Sequence, residues 1–223
     1  MEHGICLTQA NFRIWVDQDR HQFGRYPVIA IAVTGGIACG KSLVGRILAE
    51  NGFEVCEADD LAHGLLEPGL PVYRRVVDCF GQRILDRDGR INRRRLAKLV
   101  FSKPSEREKL NRIVHPPVKK AWKEWLRRTE RSGKPRAVVV PLLYEAGAGS
   151  GWDAVICVAA SEKSQMRRLR ERGLSEVEAR QRLRAQMSVQ EKMRLADYVI
   201  MNDGNMDVLV EQVMRVKRRM LEA

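Results

Sequence analysis

Five short runs of apolar residues recur along the chain, and longer stretches with apolar residues at helical spacing separate them. The runs are Val28–Val33, Phe53–Cys56, Ala137–Val140, Ala154–Val158 and Tyr198–Met201. Parallel strands that helices cover on both faces have such continuous apolar runs. The pattern therefore predicts an α/β fold in three layers, with a five-stranded parallel sheet between two layers of helices.

The segment between the second and third runs is predicted to be helical. It follows a turn at Glu67–Gly69 and contains no long apolar strand up to about residue 131. Ser105–Glu108 fits a capping box, in which a serine and a glutamate together close a helix N-terminus. Because a proline disfavours helical backbone in the residue before it, this helix is expected to end near His115, ahead of Pro116 and Pro117.

A second helical segment, residues 161–196, separates the fourth and fifth runs and is rich in arginine. Gly173 is expected to end its first helix, and a capping box at Ser175–Glu178 to begin the next. Two helices joined by a tight turn are typical of a lid that closes over a nucleotide. After the fifth run, apolar residues at helical spacing predict a closing helix that packs on the core: Leu209, Val213, Val216 and Met220.

The length of 223 residues fits one α/β core. We predict a single domain over residues 28–223, with a helical insertion at 60–131 and the lid at 161–196, and we assign residues 1–27 no function. The five cysteines show no paired spacing, and no apolar run approaches the roughly 18 residues that cross a membrane. These features predict a cytoplasmic protein in a reducing compartment, without a membrane partner.

A formal net charge of +12 leaves two interpretations open. A basic surface attracts nucleic acids, and it equally suits small polyanionic substrates, whose phosphates arginine side chains neutralise. The positive residues are spread over several segments, and no signature of RNA or DNA binding occurs. Charge alone does not decide between a nucleic acid and a small molecule.

The glycine-rich segment Gly35–Ser42, called the phosphate loop below, favours the small molecule. It has the spacing G-x-x-x-x-G-K-S and lies between the first apolar run and a helical pattern. The glycines let successive backbone N–H groups surround a phosphate, and the following helix directs its positive end to the same place. Lys41 is expected to reach the β- and γ-phosphates of a nucleoside triphosphate, and the Ser42 hydroxyl to bind Mg²⁺.

Asp59 follows the second run, where the carboxyl end of a strand would bring it beside the phosphate loop. It either caps a helix that begins at Asp60 or acts as a base, and the lack of another candidate base favours the second role. His115 is more typical of a helix-terminal hydrogen-bonding residue than of a catalyst. No later strand ends in the magnesium-binding aspartate of many ATPases, and no N-K-x-D element for guanine occurs, which argues against a motor ATPase or a switch GTPase.

In their order, the motifs resemble those of the dephospho-CoA kinase family over nearly all of residues 28–220. The phosphate loop is common to many nucleotide-binding proteins, whereas the ordered combination of the later motifs is far more specific. The matching segments are Thr34–Ile37, Gly40–Ser42, Ala58–Asp59, Ala62–His63, Phe80–Gly81, Asp88–Ile91, Leu110–Pro116, Pro141–Glu145, Gln165 with Arg168, Ala185–Gln186, Ala196–Asp197 and Asn202–Gly204.

Four residues depart from the family pattern. Ala38 and Cys39 stand where Gly-Ser is common, Leu43 stands where threonine is usual, and Glu57 replaces the first aspartate of Asp-Ala-Asp. Because the loop binds phosphate through backbone amides, Ala38 and Cys39 are expected to be tolerated if the dihedral angles permit them. Cys39 suggests either a redox switch or a small residue that fits the turn, and the second is favoured. We base the mechanism on Asp59 and not on Glu57.

The resemblance implies a P-loop kinase that uses ATP to phosphorylate the ribose 3′-hydroxyl of dephospho-CoA, giving CoA and ADP. Our hypothesis makes Asp59 the base that accepts the hydroxyl proton, and brings Arg168 and Arg172 onto the transferring phosphoryl group as the lid closes. The resemblance also places Asn202 near the adenine. The remaining predicted site residues are Gly35, Gly36, Ile37, Ala38, Cys39, Gly40, Lys41, Ser42 and Leu43 for the nucleotide, and His63, Asp88, Asn111 and His115 for the acceptor.

Two alternatives remain at this point. One is another small-molecule kinase on the same scaffold, acting on a nucleoside, a nucleotide or a shikimate-like acceptor. The other is a basic nucleic-acid-binding protein that uses ATP as a switch, which predicts steeply salt-dependent binding. The resemblance favours a kinase without a nucleic-acid partner, acting as a monomer or a small homo-oligomer.

Overall fold

The computed structural model of the chain describes residues 29–222, and the predicted N-terminal extension lies outside them. Five parallel strands form one sheet in the order β2-β3-β1-β4-β5, so β1 and the phosphate loop that follows it are central. The predicted strands are confirmed, most with bounds that differ by one residue. They are β1 Ala30–Gly35, β2 Glu54–Glu57, β3 Arg136–Val139, β4 Ala154–Ala159 and β5 Tyr198–Met201.

Nine α-helices connect and cover these strands within residues 29–222. They are α1 Lys41–Glu50, α2 Ala58–Leu65, α3 Pro71–Phe80, α4 Arg93–Ser102, α5 Pro104–Thr129, α6 Glu162–Glu171, α7 Glu176–Arg184, α8 Val189–Leu195 and α9 Met206–Glu222. None of the helices in this part of the chain has the length and apolar character needed to cross a membrane.

The sheet buries both of its faces, as the continuous apolar runs predict. Side chains alternate along β1, so that Ile31 and Val33 join the core under α1 and α9, whereas Ala32 joins the core on the opposite face. The closing helix α9 buries its predicted apolar stripe in the first of these cores. A separate apolar cluster holds α3, α4 and α5 together, with Phe80 at its centre and almost no exposed surface.

The predicted end of a helix near His115 is wrong, because α5 continues through Pro116 and Pro117 to Thr129. A proline removes one backbone hydrogen bond and crowds the preceding turn, at a cost of about 3 kcal/mol in a helix interior. Burial on both sides of the prolines offsets this cost. Ile113 packs into the cluster of α3 and α4, and Trp122 packs under the sheet. A break at the prolines would separate these two contacts.

Three helix starts differ from the sequence predictions. The box at Ser105–Glu108 does not form, because α5 begins at Pro104, two residues before the predicted start at Glu106, and the fixed φ of proline suits a first helical position. Helix α2 begins at Ala58 rather than at Asp60, so Asp59 lies inside its first turn and is not its cap. The lid contains a third helix, α8, which starts at the capping box Ser188–Glu191. The box at Ser175–Glu178 is confirmed.

Candidate functional site

The phosphate loop joins β1 to α1 through three residues with positive φ. Gly35 has a φ of 145° and lies so close to β4 that a Cβ there would be 2.0 Å from Val158 O. Gly40 has a φ of 95°, and a Cβ there would lie 2.2 Å from the amide nitrogen of Asn202. Ala38 has a φ of 57°, a left-handed conformation that costs a residue with a side chain roughly 1–2 kcal/mol. Ala38 thus adopts the left-handed backbone conformation that the turn requires, and this conformation lowers the stability of the fold.

Three polar side chains hold three successive carbonyl groups of the phosphate loop, an arrangement we call the carbonyl clamp. The bonds are Gln165 Nε2 to Ile37 O at 3.0 Å, Arg168 Nη1 to Ala38 O at 3.1 Å, and Asn202 Nδ2 to Cys39 O at 2.8 Å. A loop that binds an anion through its N–H groups needs its carbonyl oxygens directed elsewhere. The clamp supplies partners for those oxygens and so fixes the loop for phosphate binding.

Helix α6 is fixed in place to supply two of these donors. Asp203, just beyond β5, accepts hydrogen bonds from both the backbone N–H and the hydroxyl of Ser161, the N-cap of α6. Arg168 also donates to Asn202 O at 2.7 Å, which joins α6 to the end of β5 a second time. The predicted approach of Arg168 to a phosphoryl group would therefore require its guanidinium to leave two carbonyl oxygens.

Lys41 begins α1 and folds its side chain back over the phosphate loop. Its Nζ donates to Gly36 O at 2.8 Å and to Gly35 O at 3.4 Å. Burial lowers the pKa of the Lys41 amine, and the nearby Lys192 cation lowers it further, whereas the carboxylate of Asp59 acts in the opposite direction. The amine thus lies against the two carbonyl groups at the start of the phosphate loop.

Ser42 and Glu57 bring two hard oxygen donors together beside the phosphate loop. The Ser42 hydroxyl donates to Glu57 Oε2 at 3.3 Å, and Glu57 is the last residue of β2. Burial raises the pKa of the Glu57 carboxyl, the Ser42 hydrogen bond lowers it, and the neighbouring Asp59 and Asp60 raise it. Hydroxyl and carboxylate oxygens suit Mg²⁺, so these two residues fit the predicted metal. Sequence reasoning set Glu57 aside, although its position at a strand end was a usable signal.

Asp59 is exposed in the first turn of α2, at the same edge of the sheet as Lys41 and Ser42. Its carboxylate opposes the lowering of the pKa of the Lys41 amine. His63 lies one turn further along α2 and is partly buried, on a helix that packs against α5. Asp59 and His63 thus lie on one helix, which directly follows β2 and packs against the helical insertion.

The other predicted acceptor residues lie on two separate parts of the insertion. Asn111 and His115 are partly buried one turn apart on α5, and burial lowers the pKa of His115, against the effect of the Glu145 carboxylate. Asp88 lies in an exposed turn, where it binds the backbone N–H of Arg90 at 3.1 Å. It lines a shallow surface cavity around residues 85–88 that does not include the phosphate loop.

The side chains of Arg172 and Leu43 form no hydrogen bond with the phosphate loop in the described part of the chain. Arg172 is the exposed C-cap of α6, and its side chain has no hydrogen-bond or ion-pair partner among residues 29–222. Leu43 is partly buried in α1 and packs against the main core. Asn202 is buried and donates to the loop backbone, so its predicted contact with adenine stays a prediction.

An open cleft of about 440 Å³ separates the phosphate loop from the lid. Gly36 and Ile37 form one wall, and the connection between α7 and α8 forms the other. Arg180, Arg184 and Glu162 also line it, which leaves the lining with a net positive charge. A cleft of this size that combines a phosphate loop with arginine side chains suits a substrate rich in phosphate.

Sequence reasoning missed the charged pair formed by Glu145 and Lys192. Lys192 has no exposed surface, and its Nζ lies 2.8 Å from Glu145 Oε1. Nothing in the sequence distinguishes Lys192 from the exposed cations around it, because the burial of Lys192 depends on the packing of α8 against β1 and β4, which are distant in sequence. The sequence did offer a signal for Glu145, which lies in the segment that follows β3.

Comparison with known proteins gives one consistent result. The family model for dephospho-CoA kinase matches residues 29–207. The dephospho-CoA kinase of Carboxydothermus hydrogenoformans is 42% identical over 191 residues, which is 85% of this chain and 93% of that protein. A crystal structure of a Thermus thermophilus protein has a TM-score of 0.72 at 34% identity and covers 86% of this chain and 97% of its own. Dephospho-CoA kinase from Campylobacter jejuni has a TM-score of 0.62 at 26% identity, with 86% and 97% covered.

Proposed function

The chain belongs to the dephospho-CoA kinase family, and we propose that it transfers the γ-phosphoryl group of ATP to the ribose 3′-hydroxyl of dephospho-CoA. The products are CoA and ADP, so the reaction completes the synthesis of coenzyme A. The observation that supports the chemistry best is the arrangement of Lys41, Ser42, Glu57 and Asp59 around one phosphate loop at the carboxyl edge of the sheet.

The phosphate loop and Lys41 bind the triphosphate. The N–H groups of the loop and the N-terminus of α1 are directed at the same anion, while the carbonyl clamp holds the loop in shape. Lys41 exchanges its two loop carbonyls for phosphate oxygens and neutralises charge between the β- and γ-phosphates. Because this amine is partly buried, its charge acts strongly on the reacting group.

Ser42 and Glu57 would hold Mg²⁺ through their hydroxyl and carboxylate oxygens. When bound, the metal ion would neutralise negative charge on the phosphate oxygens. The Ser42 hydroxyl donates to Glu57, and this hydrogen bond keeps both oxygens at the edge of the loop.

Asp59 orients the acceptor hydroxyl and takes its proton as the new bond forms. Its side chain is exposed at the start of α2, directly after the strand whose last residue, Glu57, binds the Ser42 hydroxyl. His63 lies on α2, and Asn111 and His115 lie on α5, the helix that packs against α2, which fits the acceptor-binding role proposed for the insertion. Asp88 lies in the exposed turn described above, and we propose no direct contact for it.

The experiment that tests this function measures ADP release with ATP, Mg²⁺ and a panel of acceptors, and weighs each product by mass spectrometry. We expect dephospho-CoA to gain one phosphoryl group and nucleosides or shikimate to gain almost none. Turnover on another acceptor would keep the kinase fold and refute the CoA assignment. ATP hydrolysis that depends on DNA or RNA would support the nucleic-acid alternative instead.

Asp59→Asn tests the proposed base. The amide keeps the size of the side chain but accepts no proton, so kcat should fall by roughly 10²–10⁴-fold while the Kd for ATP changes little. Asp60→Asn is the matched control, because Asp60 is also exposed in the first turn of α2. Equal kcat in the Asp59→Asn variant and the wild-type enzyme would refute the assignment.

A further inference from the structure

Lys192 is a buried cation that the reaction described above does not use. Its side chain has no exposed surface, and its Nζ lies 2.8 Å from Glu145 Oε1. Lysine is almost never fully buried unless its charge is paired, since removal from water costs several kcal/mol per ion. An apolar residue would fill the same space under the sheet, so the charge itself requires an explanation.

The Lys192 ammonium group links the lid to the start of the phosphate loop. It donates to Pro141 O at 2.8 Å, and the buried Thr34 hydroxyl donates to the same oxygen at 3.4 Å. Thr34 directly precedes Gly35, the first residue of the loop, and Pro141 lies two residues beyond β3. One carbonyl oxygen therefore connects α8 with the end of β1.

The Glu145 carboxylate extends this connection to the far wall of the cleft. Its Oε1 also accepts the backbone N–H of Met187 at 3.0 Å. Residues 186–189 line the cleft opposite the phosphate loop, and a Cβ placed on Gly36 would lie only 3.5 Å from Val189 Cβ. Residues 186–189 and the phosphate loop thus lie close together next to Met187, whose backbone N–H is bound by Glu145.

We propose that Glu145 and Lys192 are positioning residues, which fix residues 186–189 against the phosphate loop and so set the width of the cleft between the loop and the lid. We assign the pair no contact with a substrate. The proposal rests on the kinase reaction proposed above, because the expected loss of kcat presupposes phosphoryl transfer at that loop. A displacement of about 1 Å in such a site can cost roughly 10²-fold in rate.

Lys192→Met tests the pair, because methionine has a similar length and carries no charge. We expect kcat to fall by about 10–100-fold and the KM for ATP to change by less than about threefold, since the phosphate loop and its carbonyl clamp remain intact. Lys192→Arg restores the cation and should recover a large part of kcat. Lys163→Met is the matched control, because Lys163 is an exposed lysine of α6 and its loss should leave kcat unchanged.

Hydrogen exchange of the Met187 amide provides a readout that does not depend on the reaction. This amide should exchange at least about tenfold faster in Lys192→Met than in wild-type enzyme, while amides of β1 and β4 keep their protection. If Lys192→Met does not fold, the double variant Lys192→Met with Glu145→Gln removes both charges and should fold, because a neutral pair leaves no buried charge uncompensated. The same kcat loss and faster exchange are then expected of it.

A folded variant with wild-type kcat and unchanged Met187 exchange would overturn the proposal and leave the pair with a role in stability alone. An equal loss of kcat in Lys163→Met would also overturn it, because overall charge would then be the cause. If the wild-type enzyme does not phosphorylate dephospho-CoA, the proposed function fails, whereas the exchange of Met187 still shows whether the pair holds residues 186–189.

Discussion

Cys39 lies inside the phosphate loop with no exposed surface, and its Sγ accepts a hydrogen bond from Gln165 Nε2 at 3.0 Å. Burial raises the pKa of the thiol, and the neighbouring Lys41 only partly counters that effect. A thiol that is both protonated and covered is a poor nucleophile. The structure therefore supports the interpretation of Cys39 as a small residue that fits the turn.

We expect iodoacetamide at neutral pH to modify Cys79, the exposed cysteine among residues 29–222, well before it modifies Cys39. Cys56 and Cys157 are buried as well, which raises their pKa values to about 11 and about 12. Kinase activity should be retained after Cys79 has reacted completely. Peptide mass spectrometry that follows each cysteine, together with the remaining activity, checks this. Activity that falls in step with Cys39 modification would revive the redox switch.

At the scale of residues, the sequence predicts those site residues whose position follows from a motif or from the end of a strand. Lys41 and Ser42 follow from the loop motif, and Asp59 follows from its position at a strand end. Glu57 carries the same strand-end signal, whereas Lys192 could not be predicted in this way, because the functional meaning of a charged residue depends on what lies next to it. The Ser42 hydroxyl beside Glu57 and the Glu145 carboxylate beside Lys192 come from other parts of the chain.

At the scale of elements, α6 and β5 shape the phosphate loop from outside. The carbonyl clamp gives Arg168 two carbonyl partners on two different segments, Ala38 O and Asn202 O. An arginine in this position acts on the loop backbone, whereas the sequence predicted an action on the transferring phosphoryl group. These two roles have different kinetic consequences.

Arg168→Lys separates the two roles. A lysine keeps the positive charge but cannot bridge both carbonyl groups, so a clamp role predicts that the Kd for ATP and the Kd for ADP rise together, by about tenfold. A role on the γ-phosphoryl group predicts a lower kcat with an unchanged Kd for ADP. Isothermal titration with both nucleotides and steady-state kinetics measure these quantities. Arg167→Lys, an exposed neighbour on α6, is the control.

Helix α5 shows why element boundaries were the least predictable part of the fold. The local rule that a helix ends before proline is sound. Here, however, the residues on either side of Pro116 and Pro117 pack into two apolar clusters, and this packing keeps the helix continuous. The position of those clusters depends on α3, α4 and the sheet, and local sequence contains no information about them. The boundary at the capping box Ser175–Glu178 was predicted correctly, whereas the box predicted at Ser105–Glu108 does not form.

At the scale of the whole molecule, the sheet and its two faces follow from the apolar runs, because both faces must be covered wherever a strand is apolar throughout. The strand order does not follow from the runs, since it depends on how the crossovers pack. The placement of β1 between β3 and β4 brings the phosphate loop to the centre of the molecule.

Folding stability should depend on pH through His115. Burial lowers the pKa of this histidine below its ordinary value of 6.5, although the Glu145 carboxylate opposes the shift. Between the two pKa values the unfolded chain binds more protons than the folded protein, so the free energy of unfolding decreases as the pH falls below about 6.5. We expect His115→Gln to lose less stability than wild-type protein between pH 7.5 and pH 5.

Urea unfolding at a series of pH values measures this difference. Parallel profiles for His115→Gln and wild-type protein would contradict the expected contribution of His115.

The carbonyl clamp has a consequence for synthesis on the ribosome. Its three donors lie 128, 130 and 163 residues further along the chain than the carbonyl groups that they hold. The ribosome synthesises the phosphate loop before the strands that flank β1 and before the residues of the clamp. We therefore expect the complete nucleotide site to form only after β5 has left the exit tunnel.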